Sequence, residues 1–190
     1  ASGDDLEVTL SVSNGSLSVA EIQALADQVT VNTTTSGIQD DVEIAPAPNG
    51  ASVVIWTSDH SGSREVSAQI SDSAGLAVGG EFRVNHTTAG PQHQAAVAVD
   101  DAGNFVVAWR SSQGADDDIY TRVFNAAGTA LTNEILVNTS LAGDQREVDV
   151  AIDSVGNFVV VWEGTDANLD GVFGQRFNAV GTKNGGEFQI

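Results

Sequence analysis

The residues best spaced for chemistry lie in one short segment, Asp166-Ala-Asn-Leu-Asp-Gly171. The D-x-N-x-D-G spacing gathers side-chain oxygens around a calcium ion, and its glycine permits the sharp turn such a loop needs. Asp166, Asn168 and Asp170 are therefore the candidate metal ligands, with calcium as the implied cofactor. Phe177 stands at the twelfth position, where an EF-hand carries an acid, so the segment is not an EF-hand and needs oxygens from elsewhere to reach six or more ligands. Asp116, Asp117 and Asp118 form a second acidic loop in another order, and Asp59 and Glu65 are the nearest acids in a third. The alternative is that these loops are solvated acidic turns.

Other candidates are less specific. Trp56, Trp109 and Trp162 could stack on sugar rings, but each closes a mostly apolar run, which favours packing in the core. Gln39, Gln92 and Gln145 follow turn glycines by two residues and could line a pocket or satisfy backbone groups. Asn14, Asn32, Asn85 and Asn138 match the N-glycosylation pattern, yet Asn before Thr or Ser is also ordinary turn chemistry at a strand end. His60, His86 and His93 lack the spacing of a zinc site. G-x-S-x-G, P-loop and H-E-x-x-H motifs are absent. Carboxylates are plentiful enough for a glycosidase pair, but no unique polar cluster marks one.

These residues are positioned by a repeat. Asp100-Asp-Ala-Gly-Asn-Phe-Val-Val-Ala-Trp109 recurs 53 residues on as Asp153-Ser-Val-Gly-Asn-Phe-Val-Val-Val-Trp162, and a weaker copy ends at Trp56. The same step links Asn32, Asn85 and Asn138, and Gly50, Gly103 and Gly156. The chain divides into residues 1–32, then repeats at 33–85, 86–138 and 139–190. Within the last repeat, Glu147–Ile152, Phe158–Trp162, Val172–Phe177 and Glu187–Ile190 read as four strands separated by Gly-containing turns. The second is apolar enough to be buried on both faces.

Four antiparallel strands in about 50 residues, repeated, define an all-β, β-propeller-like fold of three regular blades. Three are fewer than the roughly four to eight that close a ring. Residues 6–32 hold enough strand signal, with a hairpin at Asn14-Gly15, to supply an irregular fourth blade, although Val19 to Asp27 could open a short helix. The alternatives are two chains pairing into a six-bladed ring and a longer array. Pro46 and Pro48 predict an irregular end to the first strand of repeat one.

Twenty-six acidic residues against seven basic ones give a net charge of −19, which argues against nucleic acid and anionic membranes as partners. Without cysteine there is no disulfide framework and no thiol catalysis. No apolar run is long enough for a membrane helix. The absence of methionine marks the chain as processed or as a fragment.

Val97-Ala-Val-Asp-Asp-Ala-Gly-Asn-Phe-Val-Val-Ala-Trp109 and Val150-Ala-Ile-Asp-Ser-Val-Gly-Asn-Phe-Val-Val-Val-Trp162 resemble the opening strands of NHL-type propeller blades. The fuller unit, through Phe177-Asn-Ala-Val-Gly-Thr182 to Gly186-Glu-Phe-Gln-Ile190, is similar to repeats of large secreted bacterial proteins of the RTX and adhesin kind, and Val8-Thr-Leu-Ser-Val-Ser-Asn-Gly15 looks like the start of a cadherin-like module. The resemblance implies an extracellular or cell-surface location. The functional expectation is a non-catalytic binding or adhesion module with a glycan or protein ligand. A structural assembly unit held by calcium, with self-association, is the alternative, and a polysaccharide-active enzyme the third reading.

Overall fold

The turns are set by short side chains that bond their own backbone. Asp100 Oδ1 accepts the N–H groups of Ala102 and Asn104 at 2.9 and 2.8 Å, and Gly103 takes the positive φ of 83° that closes the hairpin. Asp153 repeats this with Val155 and Asn157. Asn125 and Asn178 do the same one hairpin later, with Ala127 and Thr129, and with Val180 and Thr182.

Between such turns the computed structural model, which describes residues 30–165 and 170–190, is all-β and, among those residues, has no helix. Its strands are β1 (Gln39–Pro46), β2 (Ser52–Ser58), β3 (Glu65–Ser71), β4 (Ala77–Arg83), β5 (Gln92–Val99), β6 (Phe105–Ser111), β7 (Asp118–Phe124), β8 (Ile135–Leu136), β9 (Gln145–Ile152), β10 (Phe158–Thr165), β11 (Asp170–Phe177) and β12 (Phe188–Gln189). They form three antiparallel sheets of four strands, each in sequence order. Pro46 is the last residue of β1 and pairs with Ser52, so the strand is as long as β5 and β9. The predicted hairpin, short helix and fourth blade at residues 1–29 lie outside the described residues. Thr30 to Asn32 have no regular structure.

The sheets stack face to face. One core joins the first two through Val66, Val84, Val97, Val107 and Trp109, and the other joins the second and third through Ile119, Val137, Val150, Val160 and Trp162. Trp109 and Trp162 are thus buried between blades, where packing rather than sugar stacking occupies them. Their indole N–H groups each donate to a glutamine 17 residues earlier, Gln92 Oε1 and Gln145 Oε1, both at 2.9 Å. The first strand of each sheet is innermost, with β5 against both β1 and β9.

Unit one differs in detail. Phe105 stacks on Phe124 with centroids 5.0 Å apart and Phe158 on Phe177 at 4.7 Å, but their counterparts are Ser52 and Ser71, whose hydroxyls bond at 2.6 Å. Tyr120 and Phe173 lie over Trp109 and Trp162, whereas Ser67 faces Trp56. Gln39 Oε1 and Trp56 Nε1 are buried without a protein partner.

Candidate active site on the inner strands

Each inner strand is interrupted at the same place. The pairing register slips between Asp40 and Glu43 in β1, between His93 and Ala96 in β5, and opposite Val161 to Glu163 in β9. At these bulges Asp41, Gln94 and Glu147 all adopt φ of 50°, a left-handed conformation that few residues other than glycine take. Strain repeated at three equivalent positions is a structural requirement of the inner wall, and such positions gather at functional sites.

The bulges face a recess of about 300 Å³ lined by Asp41, Glu43, Gln94 and Glu147, with Val42, Ala95 and Val148. Gln94 Nε2 donates to Glu147 Oε1 at 3.0 Å, across the boundary between the second and third blades. Gln94 Oε1 accepts from Arg110 Nη1 at 3.1 Å, and Arg110 Nε donates to Asp117 Oδ2 at 2.7 Å. Arg64 pairs with Asp40 and lies 3.5 Å from Asp41. In the third blade Arg146 Nε is 3.6 Å from Glu163.

Two groups have shifted acidities. Glu43 is raised above the ordinary carboxyl range, first by burial and then by the charge of Asp149, against a backbone hydrogen bond from Val97 that lowers it. Glu43 and Asp149 occupy the same repeat position on β1 and β9, with Ala96 between them in sequence on β5. His93 is lowered, by burial and then by the Arg110 and Arg64 charges, which favours the neutral imidazole. The arrangement therefore joins a carboxyl inclined to keep its proton, a second carboxylate on another strand, and neutral hydrogen-bonding groups. Such groups can give and take a proton.

None of the inner-wall residues was singled out by spacing. Asp41, Gln94 and Glu147, and Glu43, Ala96 and Asp149, are positions where the repeat changes residue, and that variation on the first strand was the available signal.

The sequence candidates lie elsewhere. Asp166 and Asn168 are outside the described residues, as is the side chain of Asp170. Asp116, Asp117 and Asp118 point to separate protein partners: Asp116 accepts from Gly143 N–H at 3.0 Å, Asp117 binds Arg110, and Asp118 accepts from Asn138 Nδ2 at 2.7 Å. Among the described residues no three acidic or histidine side chains form a metal-holding group. Gln92 and Gln145 bind the tryptophans and nearby carbonyls. Asn85 and Asn138 are buried, accepting from Val66 N–H at 2.9 Å and Ile119 N–H at 2.8 Å, so both serve the blade links.

The fold is thus of the β-propeller-like class, with three blades described. No protein-family model matches the chain, and no curated protein does either. Among solved structures, a glycosyl hydrolase from Bacteroides ovatus is similar at 11% identity and a TM-score of 0.50, over 82% of this chain and 49% of that one. An endo-arabinase from Bacteroides thetaiotaomicron (13% identity, TM-score 0.46) matches over 78% of this chain and 61% of its own. A β-1,2-mannobiose phosphorylase from Listeria innocua (8%, 0.47) matches over 77% and 43%. The chain spans about half the length of these structures. At 11% identity the likeness to the Bacteroides ovatus structure bears on the fold alone.

The same finding corrects the expected non-catalytic binding or adhesion module and its structural alternative. The similar solved structure at a TM-score of 0.50 is a glycosyl hydrolase, not an adhesin or a scaffold. The expected kinship with NHL-type and RTX repeats is narrowed to a shared propeller-like architecture.

Proposed function

We propose that the chain forms part of a carbohydrate-active propeller that cleaves glycosidic bonds, with Glu43 as general acid and Asp149 as the second carboxyl group. The observation that carries this reading is that inner strands of different blades bring Asp41, Glu43 and Glu147 to one recess, with Asp149 electrostatically coupled to Glu43. Glu43 in its protonated form donates to the glycosidic oxygen as the bond to the anomeric carbon breaks. Asp149 either takes a proton from the attacking water or bonds to that carbon itself, giving an ester that water, losing its proton to Glu43, then hydrolyses; the distance between the carboxyls in the substrate complex decides which. Gln94 and neutral His93 are suited to sugar hydroxyls.

The likeness to a Bacteroides ovatus glycosyl hydrolase supports the reading at the level of fold. The similarity of the repeat unit to large secreted bacterial proteins supports an extracellular or cell-surface setting, where polysaccharide is met. The test is a panel of aryl glycosides and plant and yeast polysaccharides, assayed by reducing-sugar release. A hydrolysed substrate should lose roughly 10²- to 10⁴-fold in kcat with Glu43→Gln. Hydrolysis at an unchanged rate by that variant, or no hydrolysis across the panel, overturns it.

A further inference from the structure

Among the described residues, the outer faces of the first and third blades match the two halves of a junction the chain already makes twice. Inside the stack, Val66 and Val84 of the first blade meet Val97, Val107 and Trp109 of the second. Ile119 and Val137 meet Val150, Val160 and Trp162 in the same way one blade on. The receiving column is Ile44, Val97 and Val150: the last two are 6% and 8% exposed, but Ile44 is 61% exposed. The inserted columns are Val66, Ile119 and Val172, and Val84, Val137 and Ile190. Their first two members are fully buried, whereas Val172 is 43% and Ile190 74% exposed.

The first blade therefore presents the receiving half of a junction and the third presents the inserting half. A three-blade ring is below the roughly four needed for closure, so the two halves cannot meet within the described blades, while two copies supply six. We propose that two copies of this chain associate head to tail at both ends, closing a six-bladed ring about a two-fold axis, with Ile44 and Val42 of each copy covered by Val172 and Ile190 of the other. The backbone supplies matching groups. Gln92 N–H donates to the Arg64 carbonyl and Gln145 N–H to the Asp117 carbonyl, both at 2.8 Å, and the next pair in the series is Gln39 N–H with the Asp170 carbonyl of the second copy. Ring closure also adds the inner strands of the second copy around the recess at Asp41, Gln94 and Glu147.

The experiment is sedimentation equilibrium or light scattering on the full chain. The expected mass is about twice 19.6 kDa, with association tightening as salt screens the repulsion between two acidic chains. Ile44→Asp and Ile190→Asp should each give a folded chain of single mass, judged by an unchanged far-ultraviolet spectrum. An equimolar mixture of the two variants should recover part of the dimer, because one of its two junctions then has both faces intact. A single-chain mass for the unaltered protein at every concentration and salt level overturns the proposal, as happens if residues 1–29 or another protein cover the first blade. So does a dimer that both variants leave unchanged. The mass is read without substrate, so this outcome is independent of the proposed catalysis.

Discussion

Replacing Gln92 by Met removes the acceptor for a buried indole while nearly keeping the side-chain volume. Gln92 is 1% exposed and Trp109 is fully buried, so no water can replace the 2.9 Å bond from Trp109 Nε1. An unpaired buried donor costs about 1–3 kcal/mol. The weaker donations from Gln92 to Ala89 and Gly90, at 3.3 and 3.2 Å, lie nearer solvent and add less. The repeat provides an internal control: at Gln39 the same change removes an acceptor that binds nothing, since Gln39 Oε1 and Trp56 Nε1 have no protein partner. Only the half-exposed bonds from Gln39 Nε2 to Ser36 O and Ser58 Oγ are lost, for about 1 kcal/mol or less. Urea unfolding followed by far-ultraviolet circular dichroism, with the slope m unchanged, should place Gln92→Met about 1–3 kcal/mol below the parent and Gln39→Met close to it. In a chain of this size that separates the melting temperatures by roughly 2–8 °C. Equal losses at the two positions refute the claim that the Trp–Gln bond, and not glutamine packing, stabilises the second blade.

Four further outcomes follow from the contacts. Phe158→Ala should cost about 3–5 kcal/mol, because it empties a buried site stacked on Phe177, whereas Ser52→Ala at the equivalent position should cost about 1 kcal/mol; denaturant midpoints compare them. Glu134 accepts the N–H groups of His86 and Thr87 at 2.7 and 3.0 Å, so Glu134→Ala should loosen the link into the second blade, seen as faster hydrogen exchange at those two amides. Because Glu43 holds its proton more tightly when folded than when unfolded, the unfolded state releases it first, and stability should fall as pH rises above the ordinary carboxyl range; Glu43→Gln should flatten that slope in unfolding measured at successive pH values. Calcium at the Asp166–Gly171 loop predicts a melting temperature that rises with added calcium and falls with chelator, and an unchanged value argues for a solvated turn.

The architecture was legible because it rests on local chemistry. Asp100 and Asp153 with their glycines announce turns, and the apolar runs ending at Trp109 and Trp162 announce doubly buried strands. These are needs every blade shares, so they recur at a fixed step. The candidate site was not legible for the complementary reason. It is built where blades differ, and comparing copies directs attention to what is constant. The one-residue bulges at Asp41, Gln94 and Glu147 leave the repeat length intact, and the coupling of Glu43 to Asp149 depends on three strands converging, which no spacing along the chain reveals. The acidic loop at Asp116 to Asp118 was legible as composition only. Its composition suggested one centre, but turn geometry sends the three carboxylates to Gly143, Arg110 and Asn138.

The differences between units bear also on how such a chain reaches its fold. Near-identical repeats can exchange strands while folding, and misassembly of this kind is a known hazard of repeat proteins. Here the wrong partner is marked. In the native register Arg110 lies opposite His93, and Glu163 opposite Arg146. A β6 strand that mistook β9 for β5 would set Arg110 against Arg146, placing like charges directly opposite. A β6 strand that took β3 for its partner would lay Phe105 on Ser71 and forfeit the ring stack with Phe124. The ion pairs and the serine–phenylalanine alternation thus act as addresses, telling each strand which copy of a nearly repeated message it belongs to.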